Sequence, residues 1–167
     1  MDYETGKVNK ITLERKGEKT IELVKADGKW SLQKPEFANA DFSKVDNFLW
    51  DIKSLKAAEF LDDKPISPTV SGLDNPEINV TLSVEGQKAP IEVKFGYPDK
   101  SGRYYCQTST LSAPVFVLDT FKDKIPTGID ALKEEKKEEP APLTHTPAIT
   151  PKAGTTSAPH PPVKEAK

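Results

Sequence analysis

Ile78, Val80, Leu82 and Val84 occupy every second position of "EINVTLSVEG". In an extended chain successive side chains point to opposite faces, so this spacing gathers four apolar groups on one side of a strand. A helix of the same sequence would scatter them. The same beat returns in "APIEVKFG", where Ile91, Val93 and Phe95 share a face, and in Ile11 with Leu13 and Ile21 with Leu23. "GRYYCQTS" and "APVFVLD" read as two more strands. Gly17 in "KGEK" and Gly28 in "ADGK" fall where tight turns need a flexible backbone, so three short strands precede Pro35. Trp30 and Leu32 then share a face of the third.

After Pro35 the period changes. In "ANADFSKVDNFLWDIKSLKAAEF" the apolar residues Phe42, Val45, Phe48, Leu49, Ile52 and Leu55 fall within one arc at 100° per residue, with Asp41 placed as N-cap. This predicts a helix whose buried face is that arc. "LDDKPISPTVSGLDNP" reads as a loop broken by Pro65, Pro68 and Pro76, and "DTFKDKIPTGIDAL" as short helical turns divided at Pro126 and Gly128. Short connections favour antiparallel pairing. The expectation is an α+β fold with mainly antiparallel sheets in two strand-strand-strand-helix halves, about 7–60 and 72–134. Each sheet should be covered on one face by its helix, and an ancient duplication is one reading of that order.

Composition bears on where this domain stops. Hydrophobic residues make up 35% and charged residues 30% of the 167. From Glu135 onward the chain holds seven of the fifteen prolines and no aromatic residue. Such a segment cannot bury enough apolar surface to offset its ordering entropy, so residues 1–134 are expected to form one domain and 135–167 a disordered Pro/Ala/Thr/Lys-rich tail.

Several function classes recede on residue type. Net charge is -2, and Arg15 and Arg103 are the only arginines, which argues against nucleic acid. No run approaches a membrane span and the first residues are polar, so neither anchor nor signal peptide is read in this sequence. Both histidines, His145 and His160, lie in the tail, which removes the commonest general base and metal ligand from the domain. The lone cysteine, Cys106, has no histidine to activate it and reads as a small buried hydrophobe. Asp62, Asp63 and Asp99 lack the spacing of a calcium loop, and lysine follows at Lys64 and Lys100. The reading is therefore non-catalytic, with no metal and no cofactor.

The aromatic residues remain. Trp30 would bury about 200 Å² beneath the helical stripe, and the core is its expected place. Trp50 falls beside the buried arc; it either packs on the edge of the second sheet or stands exposed as an anchor for a partner. Tyr97 and Tyr105 are further candidate contacts, and Tyr104 with them could line a ligand groove.

Taken in order, "ITLERKGEKTIELVKADGKWSLQKP", "ADFSKVDNFLWDIKSLKAAEFLDDKP", "SGLDNPEINVTLSVEG" and "YYCQTSTLSAPVFVLD" closely resemble bacterial proteins grouped as domain of unknown function 4340. The most specific pieces are Gly28-Lys29-Trp30, the Gly72-Leu73-Asp74-Asn75-Pro76 corner and Val115-Phe116-Val117. The likeness covers about residues 8–132. It implies a domain held outside the cytoplasmic membrane by an N-terminal anchor, which this sequence lacks, and some relatives sit beside ABC-transporter or gliding-motility components. It assigns no catalytic residues. The expected function is a non-catalytic accessory or interaction module of a bacterial cell-envelope complex, with a protein partner in the envelope and no nucleic acid. The alternative is an extracytoplasmic domain that binds a glycan, peptide or lipid.

Overall fold

Row by row, the alternating apolar positions of the sequence meet across strands. Ala38, Leu32, Leu23, Ile11, Leu82 and Ile91 stand opposite one another in successive strands, and a second row runs Ile78, Phe95, Cys106, Val115, Phe60. The computed structural model describes residues 3–61 and 66–135 of the chain. Its strands are β1 (Val8–Arg15), β2 (Ile21–Ala26), β3 (Lys29–Lys34), β4 (Ala38–Asn39), β5 (Glu59–Phe60), β6 (Ile78–Val84), β7 (Ile91–Pro98), β8 (Tyr104–Thr108) and β9 (Val115–Val117). All pairings are antiparallel, and the strands form one sheet in the order β4-β3-β2-β1-β6-β7-β8-β9-β5.

That single sheet corrects the expectation of two. The seam is the antiparallel pair β1–β6, which places Ile11 against Leu82 and Leu13 against Val80. Two separate sheets would each expose an unpaired edge of seven or eight residues here, an invitation to aggregation that joining them removes. On the polar face the seam carries Asn79 donating to Glu14 at 3.0 Å, and Glu22 lies 3.4 Å from both Lys10 and Lys34.

One continuous core lies on the other face. It is covered first by α1 (Phe42–Lys53), where the Asp41 carboxylate accepts the N–H of Lys44 at 3.0 Å as the sequence predicts. Val45, Phe48, Leu49 and Ile52 are buried and Leu55 is packed against them. Phe42, expected within that arc, is instead 53% exposed. It is the first residue of the helix and follows the outermost strand, β4, so the sheet ends before it can cover the ring. The second cover is made of 3-10 turns, Asp119–Lys124 and Ile129–Ala131, which bring Phe121, Ile125 and Leu132 into the core. Phe121 stacks on Phe95 with ring centroids 4.1 Å apart.

The β2–β3 turn explains why Trp30 can follow a glycine so closely. Asp27 and Gly28 both have positive φ, 51° and 77°, the pair of values a two-residue hairpin turn of matching twist requires. β3 then begins at once, and Trp30 enters the core at 4% exposure. Within the expected loop a four-residue helix, α2 (Pro68–Ser71), forms before the second run of strands. Glu135, assigned from the sequence to the tail, pairs with Lys44 at 2.9 Å; residues 136–167, the rest of the predicted tail, lie outside the described residues.

Candidate functional site

The two indoles part company. Trp30 is sealed in the core, whereas Trp50, on the outer flank of α1, is 53% exposed with the Lys53 ammonium 5.3 Å from its ring. α1 itself is fixed from both sides: the Tyr3 hydroxyl donates to the Leu49 carbonyl at 2.7 Å, and Lys124 pairs with Asp51 at 3.1 Å. Trp50 is thus an exposed ring on a rigid element, the condition an anchor needs.

The three tyrosines are not brought together. Tyr104 is buried; Lys122 donates to its hydroxyl, and its ring meets Phe121 edge-on at 5.4 Å. Tyr105 points to the opposite face, tilted against Phe116 at 4.6 Å. Tyr97 lies half-buried against Gly72, whose φ of 72° and missing side chain let the ring approach; a Cβ there would stand 2.7 Å from the ring. Among the described residues, no groove is shared by all three.

A different recess lies at the β5 end of the sheet. Leu55, Phe60 and Leu111 wall a groove of about 190 Å³ whose floor is Cys106, Val115 and Val117. Phe60 is 62% exposed and Leu111 39%. Sequence reasoning missed this site because its walls come from three distant segments and β5 is two residues long, too short to show a period. Cys106 offers no nucleophile here: burial pushes its thiol up to about 12, so it stays protonated at neutral pH.

The opposite face at this end is charged. Arg103 lies 4.2 Å over the Phe116 ring, pairs with Asp99 at 2.7 Å and reaches Glu59 of β5 at 2.7 Å. Asp99 also accepts the backbone N–H groups of Ser101 at 2.8 Å and Arg103 at 2.9 Å. Partial burial works against its charged form, but the guanidinium and the two amides outweigh it and hold the carboxyl below its ordinary 3.8. Asp99 is therefore a loop clamp. Asp62 and Asp63 lie outside the described residues. Among the described residues no group of three histidine, cysteine or acidic side chains could hold a metal ion. Nor is any described helix long and apolar enough to cross a membrane.

The fold and this surface define a class: a single-sheet, mainly antiparallel α+β protein with a recess at one sheet edge that is lined by apolar side chains together with Thr108 and Thr110. A family model described as "Domain of unknown function (DUF4340)" matches residues 30–142, and the chain belongs to that family. The match opens at Trp30, so β1 and β2 lie outside it. No curated protein and no solved structure shows a significant match to the chain.

Proposed function

We propose that the chain is a non-catalytic interaction module of a bacterial cell-envelope complex, docking a protein partner at the β5 end of its sheet. The observation that carries this reading is the Leu55–Phe60–Leu111 groove beside β5, where an apolar side chain of a partner segment can be buried against the exposed Phe60 ring. Trp50 adds a second exposed anchor on the same α1 element that leads into Leu55. The envelope setting, and ABC-transporter or gliding-type neighbours, rest on the family resemblance alone. Strands followed by helical cover recur on either side of the β1–β6 seam, which supports reading residues 7–60 and 72–134 as related halves, with β5 at the end of the first crossing to pair with β9 of the second.

The test compares full-length wild type with Phe60→Asp as bait on solubilised envelopes of the source cells. Wild type should retain envelope proteins that Phe60→Asp loses, while both melt at the same temperature. Capture that is indifferent to Phe60, or no envelope protein captured at all, overturns the reading.

A further inference from the structure

At the other end of the sheet lies a cleft of about 550 Å³, within the ~300–1,000 Å³ of small-ligand sites. It runs between the β2–β3 turn, β4 and the start of α1. Its apolar part is the half-exposed ring of Phe42 and an edge of Trp30. Lys25 holds these rings in register, its ammonium 5.8 Å from one centroid and 5.9 Å from the other while it donates to the Gly6 carbonyl at 3.0 Å.

The polar part is a mixed set. Asn39, Ser43, Lys29 and Glu134 line the cleft, and none of these side chains is engaged by a hydrogen bond or ion pair among the described residues. Asp41 spends one carboxylate oxygen on the Lys44 amide, so the end of α1 is already satisfied and the other oxygen accepts nothing from the described residues. Amide, hydroxyl, ammonium and carboxylate thus offer donors and acceptors together. Of the charged side chains that line the cleft, Lys29 stands against Asp41 and Glu134, so there is no surplus of cations to hold a polyanion.

We infer that this cleft is a binding site for a neutral oligosaccharide. A sugar ring presents an apolar C–H face to an aromatic ring and a rim of hydroxyls that both donate and accept, and the cleft offers partners for both. A lipid would want a deeper apolar lining, and a polyanion a surplus of cations. The inference stands apart from docking at β5, since it uses the other edge of the sheet.

The sequence holds two tryptophans, so full-length protein carrying Trp50→Phe reports on Trp30 alone. It is titrated with cellotetraose, chitotetraose and maltotetraose, with heparin as the polyanion control. Amide chemical shifts of Asn39 and Ser43 are followed in parallel, so a silent indole does not hide binding. At least one neutral tetrasaccharide should saturate with a Kd below about 1 mM, and Phe42→Ala or Asn39→Ala, both exposed and folded, should weaken it about tenfold or more. No saturable change with any of the three, binding by heparin alone, or binding unmoved by Phe42→Ala overturns the assignment.

Discussion

Both ends of the sheet finish in a strand of two residues, yet the protein treats them differently. β4 is strapped by the chain's own C-terminal segment. Ala40 bridges Lys133, Glu134 donates to the Asn39 carbonyl at 3.1 Å, Asp41 donates to Leu132 at 2.9 Å, and Lys133 pairs with Glu36. β5 has no such strap among the described residues. It is joined on its inner side, where Ala58 and Leu61 donate to Phe116 and Pro114 at 2.7 and 3.2 Å, and Phe60 is left open beside an apolar groove. Edge strands invite pairing with other chains, and proteins ordinarily cover or charge them. One edge is strapped by residues 132–134 and the other sets an exposed Phe60 beside a groove, which is why partner docking is assigned to β5 and ligand capture to the recess beside the strapped β4.

The comparison breaks most visibly if the strap is not structural. Leu132 is 1% exposed, and its segment carries the bonds to β4 and Asp41. Leu132→Ala should cost about 2–5 kcal/mol in urea unfolding, from lost burial and the cavity it leaves. A cost below about 1 kcal/mol would mean that β4 holds without its strap and the two edges are equivalent.

The next effect concerns how open the β5 groove is. Cys106 lies in its floor but is 2% exposed, and burial raises its thiol from 9.0 to about 12. The reactive thiolate is correspondingly scarce in the folded protein, and its sulfur is shielded as well. Iodoacetamide at pH 8 should therefore label native protein about a hundredfold or more slowly than unfolded protein. Labelling at the unfolded rate would show a groove that opens to its floor, and a preformed docking surface would be lost.

How much of this was legible depends on range. The alternation of Ile78 to Val84, the Asp41 cap and the burial of Trp30 are local patterns, each set within a few residues, and the sequence displays them. The β1–β6 seam is not local. Ile11 and Leu13 would fit any strand with an apolar face, and nothing near them names a partner some seventy residues away. Phe42 shows the complementary failure. A helical wheel finds the apolar arc but cannot see that the sheet stops before the first turn. The β5 groove was invisible for both reasons, being built from Leu55, Phe60 and Leu111 around a strand too short to have a period.

A smaller effect belongs to the charged face of the β5 end. Asp99 has a folded pKa below its unfolded one, so its contribution is present above the ordinary carboxylate range and fades as pH falls through the lowered value. Wild type should be more stable than Asp99→Asn at pH 7, and their urea midpoints should converge in acid. A gap that persisted in acid would assign the clamp to hydrogen bonding that asparagine cannot copy, rather than to the charge beside Arg103.

The smallest effect is the most discriminating. Phe60 terminates the core row that runs from Ile78 through Phe95, Cys106 and Val115, yet at 62% exposure it gives the sheet little buried area. Phe60→Ser should change folding stability by no more than about 0.5 kcal/mol, as surface substitutions do. A ring placed there for the fold would cost more, by the area it buries at about 25 cal/mol per Å². If Phe60→Ser destabilises by about 2 kcal/mol or more, on the scale of core truncations, the ring is the cap of the core row, β5 is a finished edge, and the groove has no vacancy for a partner to fill.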